Sequence, residues 1–402
     1  MQGIDLLRGL CIVAVVLHHI NLRIRLERTP LGPLLGQAAS RVLFWSGYNG
    51  VIVFFVISGF LITTWSLRRW STLGEISRSG FYRMRFARIA PCLLGLLVIL
   101  SILDRLGVPR FVIDTHRSSL PHALLAALTF HINWLEARTG YLPASWDVLW
   151  SLSIEEVFYL VFPLVCTLLR KQAMIIGFLC CFLVIGPWTR VHTQNQYWAE
   201  NGYLSCMDGI ALGCLAAIAA ARIRIGTRAR VVLGAMGALL CVFIDAFRVT
   251  AFRTGLYKFG LDISILELGT ALLLISIQLK FVAGTTPRPL AANDAASPAR
   301  ARPFAWSQPL FHSADWLRWF GRNSYEIYLT HMFAIWPMVF AFQHSGIRIG
   351  AAPALFLATT ALAGVLGWLL ARFYSEPLNR RLRQTLVRHD KVPRKMHATG
   401  SE

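Results

Sequence analysis

A series of long apolar runs limits what this chain can fold into. Eleven stretches approach or reach the length of a membrane span, and they lie near residues 4–21, 44–66, 86–104, 120–136, 146–169, 173–188, 203–221, 231–247, 261–283, 320–342 and 352–374. A helix needs about 20 apolar residues to cross a bilayer. The composition agrees, with 55% hydrophobic and only 15% charged residues. We therefore predict an all-α fold, a polytopic transmembrane helical bundle.

Charge decides how many of these runs cross the membrane. The net charge of +20 would suggest nucleic acid in a soluble chain, but here basic cytoplasmic loops account for it, and we expect no nucleic-acid partner. If all eleven runs crossed, the basic loop 222–230 would lie opposite the basic segment 68–88, against the positive-inside rule. The run 120–136 is short and interrupted by two histidines and an asparagine. We predict that it is interfacial or re-entrant, which leaves about ten spans with both termini in the cytoplasm.

The remaining segments complete the predicted organisation. Residues 1–379 are predicted to form one transmembrane domain, with a Pro-, Ala- and Arg-rich cytoplasmic linker at 284–317, and residues 380–402 a basic, mobile cytoplasmic tail. No cleavable signal peptide is visible. The eight cysteines form no C-x-x-C pair, so we expect neither a metal site nor a disulfide framework. No internal repeat of the kind found in inverted-repeat transporters is apparent.

The first run carries ionisable residues where a membrane helix rarely has them. Arg8 lies near its start, and His18 and His19 lie near its end. Such groups are costly in a span and are functional candidates by default. Arg8 and His19 are eleven residues apart, about 16 Å and close to a whole number of turns, so both can face one groove. His18 points about 100° away from His19 and is the weaker candidate.

A second candidate group is Arg85 and Arg88, where the third run leaves the cytoplasm. The two share a helix face because they are three positions apart. One interpretation is an anchor that contacts lipid headgroups. The other is a clamp for phosphate, which arginine holds with paired hydrogen bonds.

A third group is the acidic pair Glu155 and Glu156, inside an aromatic span. Their side chains leave the helix about 100° apart, so we expect only one to face the core. A buried glutamate paired with an arginine for assembly is the structural alternative. We favour a functional carboxylate, because acidic groups in spans mark sites more often than packing.

Three secondary candidates follow. His331 lies in the stretch 321–331 together with Tyr328, and Asp208 lies in the seventh run. A single membrane histidine is often a hydrogen-bonded structural residue, and the same holds for Asp208. A transporter or flippase that uses His19, Glu155 and His331 as a proton relay would explain the polar residues. It would not explain three arginines at one cytoplasmic mouth.

Taken together, these motifs resemble the acyltransferase-3 family of integral membrane O-acyltransferases over nearly the whole chain. The family's Arg-x10-His pattern matches Arg8 and His19, and its Arg-x-x-Arg pattern matches Arg85 and Arg88. Its Trp-Ser-Leu-Ser-x-Glu-x-x-Phe-Tyr stretch matches 150–159 and selects Glu155 over Glu156. Its Gly-x-x-Ser-Tyr-x-x-Tyr-x-x-His stretch matches 321–331.

The resemblance implies an enzyme of a bacterial inner membrane. Such proteins move an acyl group, often acetyl, from cytoplasmic acyl-coenzyme A to a hydroxyl of a carbohydrate or other acceptor, without a metal. It implies that Arg8, Arg85 and Arg88 hold the donor phosphates. His19 would be the general base or a transient acyl carrier, and Glu155 would orient its imidazole or stabilise its charged form. Many members have an arginine two residues before Asp208, where this chain has Cys206.

Overall fold

The computed structural model describes residues 2–247, 253–282 and 314–387, and within these ranges the regular elements are all helices. This confirms the all-α prediction. The α-helices are α1 (Gln2–Asn21), α2 (Leu31–Phe44), α3 (Gly47–Trp70), α4 (Arg78–Arg105), α5 (Leu120–Leu128), α6 (Ile132–Thr139), α7 (Ala144–Asp147), α8 (Leu149–Leu169), α9 (Gln172–His192), α10 (Gln196–Asn201), α11 (Tyr203–Arg222), α12 (Thr227–Ala246), α13 (Leu261–Val282), α14 (Asp315–Arg322), α15 (Ser324–His344), α16 (Ala352–Leu370) and α17 (Glu376–Val387).

Nine helical segments in the described ranges are long and apolar enough to span a membrane. The predicted span at 320–342 is not among them. It is divided at Asn323 into α14 and α15, and α15 carries Glu326, Thr330 and His331 among its apolar residues. α15 is still a 21-residue helix packed along α1 and α16. Glu326 and His331, which lower the mean hydropathy of α15, are buried in the interior of the bundle.

The run 120–136 does not form one continuous helix. It is divided into α5 and α6, of nine and eight residues, which are too short to cross a bilayer. In α6, the Glu136 carboxylate accepts hydrogen bonds from the Leu142 backbone N–H at 2.9 Å and from the Tyr197 hydroxyl at 2.5 Å. Burial raises the pKa of Glu136 well above its ordinary value, and the nearby Asp147 carboxylate raises it further. These hydrogen bonds fasten α6 to the segment just before α7 and to α10.

Close backbone approaches at glycines hold the central helices together. A Cβ at Gly59 of α3 would collide with the Ile210 carbonyl of α11, and one at Gly213 of α11 would collide with the Val56 carbonyl of α3. α1 and α14 meet in the same way at Gly9 and Gly321. Small residues allow membrane helices to approach this closely and gain van der Waals contact. The two contacts position α1 and α3, which line the candidate site.

The basic loops lie together at one end of the bundle. Gly74 lies against the Arg170 backbone, and Arg222 donates a hydrogen bond to Gln172. Arg83 near the start of α4 donates to the Leu386 carbonyl of α17 at 3.2 Å. The loops at 67–85, 170–172 and 222–230 therefore share one end with α17, as the ten-span arrangement requires.

The predicted linker and tail fall only partly within the described residues. Residues 314–317 of the linker lead into α14, which begins at Asp315. α17 continues through Val387, so the part of the predicted tail up to residue 387 is helical. The rest of both segments lies outside the described ranges.

Candidate active site

Two adjoining cavities lie inside the bundle. The Arg8 cavity, of about 320 Å³, is near the basic end, and the larger His19 cavity, of about 800 Å³, is near the opposite end. The Arg8 cavity is lined by Arg8, Ser58, Arg85, Arg88, Ser151, Glu155, Tyr159 and Tyr325, among others. The His19 cavity is lined by His18, His19, Tyr48, Tyr141, Asp147, Val148, Trp150 and Arg190, among others. Val51 and Tyr328 line both.

The Arg8 cavity contains all three predicted donor-site arginines. Arg85 donates to the Glu156 carboxylate at 3.4 Å, and its guanidinium lies 3.6 Å from the centroid of the Tyr159 ring. Both contacts hold the guanidinium in place at the wall of the cavity. Glu156 is therefore the paired glutamate that we considered as a structural alternative, and it belongs to Arg85.

The guanidiniums of Arg8 and Arg88 are held by fewer contacts than that of Arg85. Among the described residues no carboxylate forms an ion pair with either of them. The Arg88 guanidinium lies 5.9 Å from the centroid of the Tyr325 ring. Arg8 and Arg88 therefore give the cavity two cations without an ion-pair partner in the described chain, and such cations attract an anionic ligand. The chemistry of the cavity therefore suits phosphate.

Glu155 faces the Arg8 cavity, while Glu156 is buried beside Arg85. The Ser58 hydroxyl, which also lines this cavity, hydrogen-bonds to the Tyr159 hydroxyl. The two glutamates diverge as their helical positions predict. Glu155 is thus the carboxylate that a ligand in this cavity can reach.

His18 and His19 have different surroundings in the second cavity. His18 donates from Nδ1 to the Phe44 carbonyl at 3.1 Å and packs against Gly47. The Nδ1 atom of His19 is buried without a hydrogen-bond partner in the described chain. Arg23 donates to the His19 carbonyl, and burial lowers the pKa of Arg23 to about 10. The imidazole of His19 therefore keeps an uncommitted nitrogen.

His331 is the neighbour of His19. The two ring centroids are 5.0 Å apart. Nδ1 of His331 lies 2.6 Å from the Tyr328 carbonyl oxygen, which can only accept, so Nδ1 carries the proton. Its Nε2 atom is buried without a partner among the residues described. The structure thus brings a secondary candidate next to the first.

The expected single groove is in fact two cavities. His19 and Glu155 lie on opposite sides of Val51 and Tyr328, and no hydrogen bond joins them in the described part of the chain. The rise of about 16 Å between Arg8 and His19 leaves room for residues of other helices to enter between them. Val51 of α3 and Tyr328 of α15 fill that space.

Asp208 occupies a separate buried ion pair. Its carboxylate accepts a hydrogen bond from Arg190 of α9 at 2.7 Å. Arg190 also donates to the Ser264 hydroxyl at 3.0 Å and to the Gly260 carbonyl at 3.2 Å. A neighbouring helix therefore supplies the cation that Cys206 does not. Through Arg190, Asp208 of α11 is linked to α9 and α13.

Sequence reasoning missed several residues of the two cavities. Ser151, Tyr159 and Tyr325 lie inside the motifs already singled out, so the motif itself was the available signal. Asp147 lies just before such a motif. Arg190 lies beyond 188, where we ended the predicted span, although α9 continues to His192. No group of three or more metal-ligating side chains was found within the described ranges.

Comparisons with known proteins agree with this site. Residues 1–372 match the acyltransferase-3 family profile, described as an acyltransferase domain. The chain is 28% identical over 230 residues to the O-acetyltransferase OatA of Staphylococcus aureus strain NCTC 8325, over 54% of this chain and 34% of that protein. It is 27% identical over 190 residues to a protein of strain MSSA476 provisionally named an O-acetyltransferase, over 44% of this chain and 27% of that protein.

The chain therefore spans about a third or less of the length of these relatives. No solved structure matches it. The family profile covers almost all of the chain and includes every candidate site residue described above. The helices of span length and the O-acetyltransferase relatives agree with a multi-pass membrane enzyme. The chain belongs to the acyltransferase-3 family.

Proposed function

We propose that this enzyme transfers an acetyl group from acetyl-coenzyme A at the cytoplasmic face of a bacterial inner membrane to a hydroxyl of a cell-surface carbohydrate. The observation that carries this proposal is the pair of adjoining cavities. One has Arg8 and Arg88, which form no ion pair with the described residues, near the basic end, and the other has His19 near the opposite end. An enzyme that takes its donor from one side of the membrane and its acceptor from the other needs a donor site and an acceptor site that meet inside the membrane.

The donor is assigned to the Arg8 cavity. Coenzyme A carries phosphates at one end and a thioester at the other, joined by a long arm. Arg8 and Arg88 offer uncommitted guanidiniums for the phosphates, and Arg85 keeps part of its donor capacity. Glu155 can accept a hydrogen bond from an amide N–H of the arm. The basic end, and with it both termini, would lie in the cytoplasm.

The acceptor is assigned to the His19 cavity. This space has more than twice the volume of the other and combines aromatic faces, such as Tyr48 and Trp150, with the carboxylate of Asp147. Aromatic faces and hydrogen-bonding groups in one cavity suit a sugar. The names of the relatives support O-acetylation, but they do not identify the acceptor of this chain.

His19 is the proposed general base. Its ring accepts the proton of the acceptor hydroxyl while that oxygen bonds to the acyl carbon. The carbon–sulfur bond then breaks, and the thiolate of coenzyme A takes up the proton to become a thiol. His331, 5.0 Å away between ring centroids, is placed to orient the His19 imidazole or to share its charge. We had expected Glu155 to have this role.

A transporter or flippase would use the same polar residues without chemistry. Family membership and the uncommitted arginines favour the transferase. The test is to supply acetyl-coenzyme A, labelled in the acetyl group, to proteoliposomes that contain the protein and candidate carbohydrate acceptors. We expect acceptor-dependent thiol release that matches the label recovered in the carbohydrate. Absence of thiol release with every hydroxyl acceptor, in correctly folded protein, would reject the proposal.

A further inference from the structure

A thin partition separates the two cavities. Among the described residues, Val51 and Tyr328 are the two that line both the Arg8 cavity and the His19 cavity. Val51 comes from α3 and is 6% exposed, and Tyr328 comes from α15. These two side chains therefore lie at the boundary between the two cavities.

The Tyr328 side chain is held across this boundary by two hydrogen bonds. Its hydroxyl donates to the Val148 carbonyl at 3.1 Å and accepts from the Ser151 hydroxyl at 2.8 Å. Val148 lines the His19 cavity, whereas Ser151 lines the Arg8 cavity. The phenol therefore connects one wall to the other. Its backbone carbonyl also accepts a hydrogen bond from His331.

We propose that Tyr328 and Val51 form a seal that determines whether the acyl group is transferred to the acceptor or to water. The inference rests on the proposed function, because it concerns the fate of the donor thioester. It assigns to these side chains a role in specificity that is separate from proton transfer by His19.

The physical reason is the competition between water and a hydroxyl acceptor. Both present an O–H group to the same acyl carbon. If water attacks, its oxygen bonds to the acyl carbon, the carbon–sulfur bond breaks, and the products are acetate, free thiol and a proton. A closed site prevents this side reaction by excluding water until the acceptor is bound. The phenol ring of Tyr328 and the isopropyl group of Val51, at the boundary that the described residues form, would provide that exclusion.

The seal has a second consequence that does not depend on catalysis. If the cavities joined, the bundle would contain a polar path from one end to the other. Such a path would conduct protons, since both cavities contain titratable side chains. A membrane enzyme with this architecture therefore needs a closed boundary at all times when the acyl group is not passing through.

The first experiment compares hydrolysis with transfer in proteoliposomes supplied with acetyl-coenzyme A. We expect Tyr328→Ala to raise the ratio of acceptor-independent thiol release to transfer by about tenfold or more. Val51→Ala should raise it by a smaller factor. Tyr328→Phe keeps the ring but loses both hydrogen bonds of the hydroxyl, and should fall between Tyr328→Ala and the native protein.

The matched control is Val53→Ala. Val53 lies on the same helix as Val51, is similarly buried and lines neither cavity. It loses the same two methyl groups, so its ratio should equal that of the native protein. An equal increase in the Val51 and Val53 variants would indicate general loosening of α3 and would overturn the seal.

The second experiment measures proton leak into the same vesicles after a pH jump, with no donor present. Tyr328→Ala and Val51→Ala should leak faster than the native protein, and Val53→Ala should not. Unchanged leak together with an unchanged hydrolysis ratio in both variants would overturn the inference. If Tyr328→Ala does not fold, the results for Val51→Ala and Tyr328→Phe decide whether the seal exists. The leak assay still tests the seal if the native protein shows no transferase activity, an outcome that would reject the proposed function alone.

Discussion

The imidazole rings of His19 and His331 lie 5.0 Å apart, at an angle of 47°, and each has a buried nitrogen without a hydrogen-bond partner in the described residues. His331 is orientated by the Tyr328 carbonyl, which fixes the proton on its Nδ1. Its neutral form therefore directs an acceptor nitrogen into buried space. Buried polar atoms are nearly always hydrogen-bonded, so such atoms need an explanation. A histidine pair that exchanges a proton with a substrate supplies one.

The first prediction separates the two adjacent histidines of α1. His19→Ala should abolish acetyl transfer, because general-base catalysis typically contributes about 10²–10⁴-fold. His18→Ala should keep most activity, since His18 bonds to the Phe44 carbonyl. The measurement is transfer normalised to the amount of folded protein in the membrane. Equal and mild losses in both variants would indicate a structural pair of histidines.

The second prediction separates Arg85 from Arg88. Both Ala variants should raise the apparent KM for the donor by about 10–150-fold, the equivalent of about 1.5–3 kcal/mol for a lost hydrogen bond to a charged group. Arg85→Ala should also lower thermal stability, because Glu156 would remain buried without its partner. Arg88→Ala should leave stability nearly unchanged.

A double variant tests the cause of that difference. Arg85→Ala combined with Glu156→Gln should recover stability but not the KM, since the buried charge is removed while the phosphate ligand is still missing. Arg→Lys should rescue either site only in part, because lysine cannot form the paired contacts of a guanidinium. A normal donor KM in both Ala variants would leave these arginines as membrane anchors.

The third prediction concerns pH. Burial and the neighbouring Asp147 raise the pKa of Glu136 in the folded protein above its unfolded value. Its contribution to stability is therefore complete below the unfolded pKa, near 4.3, and is lost as the pH rises through the folded pKa. Glu136→Gln can keep an oxygen that accepts from the Leu142 N–H, and its NH2 group can donate to the Tyr197 hydroxyl oxygen, without the charge.

Thermal unfolding of the solubilised protein between pH 4 and pH 9 provides the measurement. The native protein should lose melting temperature towards high pH, and Glu136→Gln should lose less over the same range. Parallel profiles for the two proteins would show that Glu136 is charged in the folded state.

The fourth prediction concerns topology. Reporter fusions after Arg230 and after Glu402 should both report the cytoplasm, because the 222–230 loop shares an end of the bundle with the basic loop at 67–85. A fusion after Gly140 should report the opposite side. If the fusions after Arg230 and Glu402 lie on different sides, the ten-span arrangement is wrong.

Local sequence signals were sufficient for the helical class and for part of the cavity lining, such as Arg8, His19 and Glu155. Apolar run length predicted the helices, and helical phase predicted that Glu155 and Glu156 diverge. The same signals did not show that Asn323 divides the run at 320–342 or that α17 continues to Val387.

What the sequence by itself determined is the membrane class, the helices and the set of chemical groups on them, because length, periodicity and charge act over a few turns. Only the tertiary structure decided which groups meet. Arg85 pairs with Glu156, 71 positions away, and His331 lies beside His19 in place of Glu155. Helix rotation and close packing at glycines set these contacts, and no spacing along the chain encodes them. Tyr328, which lies on α15 with His331, separates the expected groove of α1 into two cavities for the same reason.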